Sequence, residues 1–558
     1  RKKHDLFDYR SKYLPGITRK VTPIEIKGEW IENIRTECTR LFEFLEFNVY
    51  ARIDGFITDE GTVFLNDPNT TSGMMPSSFF FHQAAEIGLN PTQFLSYILH
   101  QSFIERRNNA YSPFDYQAHL NTFNSLLTTS SVSQSSKRKV GVVFGGYSSE
   151  RHISVESGRN VFEKLSSSGK YETIPIFLTK DENDEIALYQ VPINLMLKDN
   201  ADDIKDKIAS FKIDPVIHKI IEEAEGISSR FAGKEYDFYP RKIELSELSE
   251  VIDFAFMALH GRPGEDGTFP KQLERFGIPY NGSRPQSSST TIDKYRTNEI
   301  LLENGVLVAK HRMVFKEDWS SDADKLWTEI ENEYSYPFIA KPADDGCSSA
   351  VKKIKTRQEL IDFSEAIFRD ELDLTTAQCE KLDLKVNEEF PLKTGYLIEE
   401  LIADNGAAHF LEITGGMLIH TDAEGNKTYD VFESSEAVAE GGILSLEEKF
   451  LAGEGQNITP ARYANTAAEN AAISTLVKAE LAKTADLLEV EGYCRIDAFV
   501  RIFSSEKVEV IVIEINSLPG LTPATAIFHQ AALAQLKPAE FLDKLITIGT
   551  ERKIAASA

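Results

Sequence analysis

Two acidic residues and one amide near the end of the chain have the types and spacing of a metal site. Asp497 lies in an alternating apolar segment, and Glu514 and Asn516 end a second such segment. Alternation of this kind predicts strands, and a hairpin of the two strands would place the three side chains on one face. Their oxygens are hard ligands of the kind that Mg²⁺ takes together with nucleotide phosphates. Arg495 would point the same way and add a positive charge to the pocket.

The turn after the second predicted strand is suited to binding an anion. It contains Pro519 and Gly520, and a helix is predicted to begin near Thr525. Backbone N–H groups in such a turn and at a helix N-terminus can bind a negatively charged group. For any single residue, a surface carboxylate on an ordinary hairpin is the alternative interpretation. The combined set favours a binding site.

The segment GYCRIDAF, followed by IEINSLPGLT, resembles the C-terminal part of D-alanine–D-alanine ligases, which are ATP-grasp enzymes. The resemblance extends over most of the chain, from about residue 139 to residue 556. It implies a fold of class α/β and α+β, in which a doubly wound pre-ATP-grasp α/β domain is followed by an ATP-grasp fold. The implied reaction joins two D-alanines through an acyl phosphate, for peptidoglycan precursor synthesis.

The composition is that of a soluble globular protein. Of the 558 residues, 42% are hydrophobic and 27% are charged, and no long apolar run predicts a membrane helix. The net charge of -26 argues against a general nucleic-acid binder, because counterion release needs a basic surface. Four cysteines without a CxxC pair are typical of a reducing cytoplasm. The first residues are not a signal peptide, and the missing Met suggests a fragment or a processed chain.

An internal repeat links the first part of the chain to the last. The matched pairs of segments are 50–56 with 493–499, 65–73 with 512–520, and 81–85 with 528–532. The repeat predicts that the C-terminal half of a second ATP-grasp copy occupies about residues 1–107. This partial module would precede the complete copy and could pack on it.

The predicted domain organisation follows from the repeat and from the resemblance. A partial module over 1–120 repeats residues 445–548, and a Ser/Thr-rich stretch over 121–138 is predicted to be a flexible linker. A pre-ATP-grasp domain over 139–287 would carry a charged insertion at about 180–250. The nucleotide-binding and catalytic ATP-grasp domain would cover 288–556.

Two glycine turns at strand ends supply candidate residues for the first substrate. Glu150 follows the Gly-Gly turn after a buried-strand pattern, and His260 opens the segment HGRPGEDGT after another. The resemblance implies that Glu150 holds the ammonium group of the first D-alanine and that His260 and Glu265 support this site. Without the resemblance, Glu150 is equally an acid favoured by the helix dipole, and a lone histidine is more often structural.

Lysines on separate elements are candidates for the nucleotide phosphates. Phosphoryl transfer requires positive charge placed at the phosphates. Lys294 and Lys341 could supply this charge without a P-loop. The resemblance implies that both bind ATP, that the strand carrying Glu399 forms the adenine hinge, and that Lys449 lies on a mobile loop that closes over the phosphates. An acid for the ribose has no clean counterpart in residues 404–409.

The loop after Lys341 departs from the family pattern. It has Cys347 where a substrate-side serine is expected and Ala350 in place of a glycine. These changes leave open a non-catalytic relic that binds nucleotide. A ligase with another second substrate, such as D-lactate, D-serine or another amine, is also left open, because subsite choice depends on a few side chains.

The resemblance also implies a complete division of roles. Two Mg²⁺ ions would bridge ATP and the carboxylates, while Arg495 and the Gly520 N–H stabilise the tetrahedral oxyanion and Thr525 receives the second carboxylate. The expected partners are small molecules such as D-alanine, with no nucleic acid and no membrane. Assembly of identical chains is left open.

Overall fold

The structure is a computed structural model with two compact units. It describes residues 21–74, 78–107, 113–132, 137–198, 200–232, 237–346, 350–384, 390–422, 424–438 and 456–552. The first unit comprises residues 1–141 and 162–244, and the second comprises residues 142–161 and 245–558.

The first unit begins with a small module of helices around one hairpin. Its elements are α1 (Gly28–Phe44), β1 (Arg52–Ile57), β2 (Val63–Asn69), α2 (Phe79–Ala85), α3 (Pro91–Arg106) and α4 (Tyr116–Val132). In the described residues, β1 and β2 pair only with each other, as an antiparallel two-stranded sheet. Helix α3 begins at a capping box in which Asn90 and Gln93 satisfy each other's backbone N–H groups.

The prediction of a flexible linker is wrong for residues 121–132, which lie in α4. The Ser/Thr-rich composition disfavours a helix, but this segment also contains apolar side chains that pack. Leu120 is buried, and the Phe123 ring lies 5.9 Å from that of Phe103 on α3. Burial of these side chains against α3 therefore outweighs the weak helix propensity.

The next strand and helix in the sequence are each divided between the two units, and the rest of the first unit comes after them in the chain. Strand β3 (Arg138–Gly145) and α5 (Arg151–Ser168) each have residues in both units. The remaining elements are β4 (Tyr171–Lys180), β5 (Ile186–Gln190), α6 (Ile193–Met196), α7 (Ala201–Ala209), α8 (Pro215–Glu223), α9 (Glu225–Phe231) and β6 (Arg241–Ile243). Strands β4, β5 and β6 pair antiparallel, so the charged insertion adds antiparallel edge strands and helices.

The small module packs on the insertion through buried polar contacts. Glu86, which follows α2, accepts a hydrogen bond from Asn194 at 3.1 Å and pairs with Lys198 at 3.4 Å. Lys198 also donates to the carbonyl of Thr22, and Ser228 donates to the carbonyl of Ile87 at 2.6 Å. Burial raises the pKa of Glu86 despite the nearby Lys198 ammonium.

The second unit contains two sheets with their own helices. Its first elements are a 3₁₀ turn (Leu245–Glu247), α10 (Leu248–Val251), β7 (Phe254–Met257), α11 (Thr268–Arg275), α12 (Pro285–Thr291), α13 (Lys294–Glu303), β8 (Leu307–Val308), β9 (His311–Phe315), α14 (Lys316–Ser321) and α15 (Ala323–Glu333). They continue with β10 (Phe338–Lys341), β11 (Lys352–Ile354), α16 (Arg357–Ile367), α17 (Thr376–Lys381), β12 (Gly395–Glu400), β13 (His409–Thr421), β14 (Lys427–Val431), β15 (Ser435–Val438) and β16 (Gln456–Ile458). The last are α18 (Ala467–Leu487), β17 (Gly492–Ile502), β18 (Val508–Asn516), α19 (Ala526–Leu533) and α20 (Pro538–Glu551).

A seven-stranded sheet holds the predicted hairpin in its interior. Its strand order is β16-β15-β13-β17-β18-β8, with β14 paired to β13. Side chains alternate across β17, so Cys494, Ile496 and Ala498 enter the apolar core with α18, while Arg495 and Asp497 lie on the opposite face. The core and the candidate site therefore occupy the two faces of one strand.

A four-stranded antiparallel sheet, in the order β11-β10-β12-β9, forms the second layer of this unit. Its core joins Phe338 and Tyr396 of the sheet to Phe363 of α16 and Trp327 of α15. This sheet delivers Lys341 at the end of β10 and Glu399 near the end of β12. No helix in the described ranges is long and apolar enough to span a membrane.

The contact between the small module and the insertion can be tested at the Lys198–Glu86 pair. We expect Lys198→Ala to lower the unfolding free energy by about 3 kcal/mol, because it leaves a buried carboxylate without its cation. The double variant Glu86→Leu/Lys198→Met should recover most of the loss, since the repeat has Leu533 at the position of Glu86. Denaturant unfolding measures both variants.

Lys219→Ala is the matched control, because Lys219 pairs with Glu32 at the surface of the same unit. Its unfolding free energy should stay close to that of the wild type, since an exposed ion pair contributes little. Equal losses in Lys198→Ala and Lys219→Ala would contradict a stabilising contact at Lys198.

Candidate active site

The hairpin of β17 and β18 brings the predicted metal ligands together as the alternation predicted. Asp497 lies directly opposite Glu514, and Arg495 lies opposite Asn516. A bulge follows Asp497, so that the strands regain their pairing at Ala498. The predicted common face for these four side chains is confirmed by this register.

The Asp497 carboxylate accepts hydrogen bonds from two side chains. Its carboxylate accepts two hydrogen bonds from Arg495, each at 3.0 Å, in a bidentate fork. The hydroxyl of Thr414, on the neighbouring strand β13, donates a third at 2.7 Å. The Asp497 side chain is 9% exposed, so these contacts offset the loss of its hydration.

Glu514 and Asn516 lie where a ligand could still bind. The ammonium group of Lys294 is 3.5 Å from a Glu514 carboxylate oxygen. The Nδ2 atom of Asn516 is buried, and the described residues give it no hydrogen-bond partner. A buried amide of this kind needs a partner, which a bound oxygen ligand would supply.

The donor set fits a metal that arrives with its substrate. Within the described ranges, no three His, Cys, Asp or Glu side chains gather as a metal cluster. Asp497 and Glu514 supply two carboxylates and Asn516 an amide. Mg²⁺ is commonly held by one or two carboxylates plus substrate phosphates, whereas a closed site needs more protein ligands. The residues therefore fit phosphate-bound Mg²⁺.

Glu150 lies in a narrow place at the start of α5. Its side chain is buried, and its backbone N–H donates to the Ser148 hydroxyl at 3.2 Å. A side chain at Gly346 would overlap the Glu150 carboxylate, and one at Gly261 would come within 3.1 Å of it. Two glycines thus allow the backbone to approach this acid closely.

Glu265 is held as a neutral acid at neutral pH. Burial and the nearby Glu150 carboxylate raise its pKa to about 8, against the hydrogen bond that it accepts from the Gly261 N–H at 3.0 Å. A carboxyl group that keeps its proton can donate a hydrogen bond beside the charged Glu150. The two acids can therefore share this corner of the site without mutual repulsion.

His260 fixes the turn after β18. Its Nδ1 atom donates to the carbonyl of Leu518 at 3.1 Å, and the Ser157 hydroxyl lies 2.7 Å from its Nε2 atom. Ser157 also accepts a hydrogen bond from the Leu521 N–H at 3.1 Å. His260 therefore supports the turn that carries Gly520, which gives it a positioning role.

Lys341 and Glu399 form a buried ion pair. The two side chains are 2.6 Å apart and 6% and 9% exposed, and Asn298 donates a further hydrogen bond to Glu399 at 3.2 Å. The charge of Lys341 is thus balanced in the absence of a ligand, and the Glu399 carboxylate is occupied. The adenine-hinge role predicted for this strand rests on its backbone and stays a prediction.

The candidate residues line two cavities. One is lined by residues that include Arg495, Asp497, Gly520 and Thr525. The other is lined by residues that include Glu150, Glu265, Lys294, Glu514 and Asn516. Cys347 and Lys449 lie outside the described residues, so their predicted roles stay predictions.

Sequence reasoning missed several residues of the site. Thr414 and Glu412 lie two residues apart on β13, and so on the same face of the strand, and both line the same cavity as Asp497. The strand alternation in LEIT could have indicated a shared face, and Glu412 lies just beyond residues 404–409, where an acid for the ribose was sought. Arg262 and Lys393 were also missed, because nothing local in the sequence marks their contacts.

The first module repeats the geometry of the hairpin. Arg52 donates to Asp54 at 3.0 and 3.2 Å, Asp54 lies opposite Asp67, and a register shift follows Asp54. Asp54 is 42% exposed, whereas Asp497 is 9% exposed. The fork and its bulge are therefore local properties of the repeated sequence, while burial is supplied by the surrounding sheet.

Family models match most of the chain. The model described as "D-ala D-ala ligase N-terminus" matches residues 139–283. The model described as "D-ala D-ala ligase C-terminus" matches residues 1–100, 300–381 and 381–547. It therefore matches both copies of the internally repeated sequence.

Individual relatives and a solved structure agree with these matches. The D-alanine–D-alanine ligase of Caldicellulosiruptor bescii is 27% identical over 75% of this chain and 96% of its own length. That of Leptospira interrogans (serovar copenhageni) is 28% identical over 75% of this chain and 99% of its own. The crystal structure of VanG D-Ala:D-Ser ligase from Enterococcus faecalis has a TM-score of 0.50, with 23% identity, over 74% of this chain and 99% of its own.

The buried His260 should make the protein sensitive to acid. Burial, assisted by the Arg495 charge, lowers its pKa from 6.5 to about 4, so the unfolded chain takes up this proton at a higher pH than the folded one. Stability is therefore full above pH 6.5 and is lost as the pH falls towards 4, by about 3 kcal/mol from this group.

The difference in unfolding free energy between pH 7 and pH 4 measures this contribution. His260→Asn keeps a hydrogen-bonding side chain but cannot take up the proton, so its unfolding free energy should fall by less over the same range. An identical fall in both proteins would contradict the assignment.

Proposed function

Since the chain belongs to the D-alanine–D-alanine ligase family, we propose that it joins two D-alanines into D-alanyl-D-alanine while converting ATP to ADP and phosphate. The observation that carries the proposal is the hairpin register, which sets Asp497 opposite Glu514 with Lys294 beside it. This arrangement supplies the balanced charges that phosphoryl transfer needs. The product would serve peptidoglycan precursor synthesis.

The reaction has two steps that balance within the substrates. The carboxylate of the first D-alanine attacks the γ-phosphorus of ATP, which forms an acyl phosphate and releases ADP. The amine of the second D-alanine then attacks the acyl carbon, and phosphate leaves as the amine loses a proton. Both steps build up negative charge that fixed cations and N–H donors can stabilise.

Lys294 and Lys341 are placed to receive the nucleotide phosphates. Lys294 is held beside Glu514, and Lys341 would exchange part of its pairing with Glu399 for phosphate oxygens. Asp497, Glu514 and Asn516 would hold two Mg²⁺ ions, which would neutralise phosphate charge when bound. Glu412 is the candidate acid for the ribose, because it lines the cavity next to Asp497.

The two amino-acid substrates would lie in the two cavities. Glu150 would bind the ammonium group of the first D-alanine, with neutral Glu265 beside it. Arg495 and the Gly520 N–H would stabilise the oxyanion, and Thr525 would receive the second carboxylate. Cys347 would contact substrate and Lys449 would close over the phosphates, as the resemblance implies.

The remaining elements of the proposal concern organisation and location. We infer a tandem arrangement with a partial copy before residue 121, a pre-ATP-grasp domain over 139–287 and an ATP-grasp domain over 288–556. The same C-terminal family model matches residues 1–100, which supports the partial copy. Free thiols at Cys38, Cys379 and Cys494 support a cytoplasmic location. The partial copy would stabilise the chain without catalysing a reaction of its own.

Release of ADP, followed across a panel of acceptors, tests this function. We expect release that depends on D-alanine and Mg²⁺, with D-alanyl-D-alanine as the product by mass spectrometry. If ADP release is faster with D-serine, D-lactate or another amine, that compound and not D-alanine is the second substrate. Nucleotide binding without release for any acceptor would favour a non-catalytic relic.

The repeated fork offers a matched pair of variants for catalysis. Asp497→Asn and Glu514→Gln should each lower kcat by about 100-fold, because each removes a charge that balances metal and phosphate. The amides keep the size of the side chains, so Glu514→Gln should lower the melting temperature by only a few degrees, and Asp497→Asn by more, because it leaves the buried Arg495 without its counter-charge. Steady-state kinetics and thermal unfolding measure the two effects.

Asp54→Asn is the control, because Asp54 has the same fork on the exposed hairpin. Its kcat should stay within about twofold of the wild type, since Mg²⁺ needs phosphate partners for part of its ligation. Loss of activity in Asp54→Asn at unchanged stability would show that the first module takes part in the reaction. Equal losses of activity and stability in Asp497→Asn would make that residue structural.

A further inference from the structure

The acidic segment after β10 is held by two cations from distant parts of the chain. Arg262 approaches Asp344 at 2.5 Å and Asp345 at 3.5 Å. Lys393, just before β12, lies 2.8 Å from Asp344 and 3.0 Å from Asp345. We call these four side chains the charge latch.

The segment held by the latch touches two residues of the candidate site. The carbonyl of Ala343 accepts from the backbone N–H of Lys294 at 2.8 Å, and the carbonyl of Asp345 accepts from its side-chain ammonium at 2.7 Å. Gly346 lies against the Glu150 carboxylate so closely that a side chain there would overlap it. The position of this segment therefore sets where Lys294 and Glu150 lie.

We propose that Arg262 and Lys393 are positioning residues, which fix the Asp344–Gly346 segment and through it hold Lys294 and Glu150 in place. The two cations balance the two carboxylates, whereas the site itself uses the backbone of the segment. Asp344 and Asp345 are needed because their carboxylates form the ion pairs with Arg262 and Lys393 that fix this part of the loop.

The latch is a network with partial exposure to solvent. The side chain of Lys393 is 18% exposed and that of Arg262 is 33% exposed, so water and salt weaken each pair only in part. Burial raises the pKa of Asp344, but Lys393 and Arg262 outweigh it and hold the pKa below its usual range. The Asp344 carboxylate therefore stays charged at neutral pH.

The proposal deepens the proposed function and rests on it for its catalytic consequence. If Lys294 binds phosphate, a displaced ammonium should weaken ATP binding. The position of Lys294 itself can be measured without any nucleotide. A labelling experiment on the free protein and a binding experiment with ATP therefore separate the latch from the ligase activity.

The first experiment measures the acetylation rate of Lys294 by mass spectrometry after brief treatment with an amine-reactive reagent. In the wild type the reaction should be slow, because Lys294 is 12% exposed and donates to the Asp345 carbonyl. Lys393→Met and Arg262→Met should each raise the rate by about tenfold, the equivalent of one lost charge-assisted hydrogen bond. Lys393→Arg keeps the charge and should restore a slow rate.

Two controls separate positioning from general loosening. Lys341, buried in its pair with Glu399, should keep its slow acetylation in every latch variant. Lys316→Met removes a lysine from an exposed pair with Asp370 in the same sheet layer and should leave Lys294 unchanged. Unchanged labelling of Lys294 in both latch variants, or equal increases at Lys341, would overturn the proposal.

The second experiment connects the latch to the nucleotide through calorimetric titration with ATP and Mg²⁺. Lys393→Met should weaken binding about tenfold in the wild-type background and have no further effect in a Lys294→Met background, because it acts through Lys294. Additive losses would overturn the role of the latch in nucleotide binding. Faster labelling of Lys294 together with no ATP binding by the wild type would overturn the proposed function and leave the latch standing.

Discussion

The bidentate pair between Arg495 and Asp497 is the interaction on which the arrangement of the catalytic unit depends. It lies on β17, between β13 and β18, and it draws in Thr414 from β13. Truncation of one partner in a buried pair costs about 3–5 kcal/mol, because a charge is left without compensation. The pair and Thr414 therefore connect β17 to β13 through one set of side-chain hydrogen bonds.

The same strand separates stability from chemistry by simple alternation. Cys494, Ile496 and Ala498 belong to the apolar core that includes α18, and Arg495 and Asp497 on the opposite face line one of the two cavities. His260 performs a similar task from outside the sheet, since it fixes the turn after β18 by hydrogen bonds to Leu518 and Ser157. The polar groups of the site are thus held by one another within the sheet and by backbone carbonyls at the turn.

The structural features that the sequence predicts are those that depend only on the order of residues within one strand or helix. Alternation around Asp497 and Glu514 was enough to predict their shared face, because strand geometry has a fixed period. The linker prediction failed because Phe123 packs on a helix from another part of the chain, which composition cannot reveal. Arg262 and Lys393 were unpredictable for the same reason: their partners are distant in sequence, and a lone charge carries no signal of its partner.

Among the described residues, neither strand of the two-stranded sheet in the first module pairs with a third strand. An open edge can add a strand from another molecule, which leads to aggregation. Pro68 in β2 occupies the position of Ile515 in the repeat, and a proline has no N–H to offer a neighbouring strand. A proline in place of isoleucine therefore makes β2 a poorer template for the addition of a further strand.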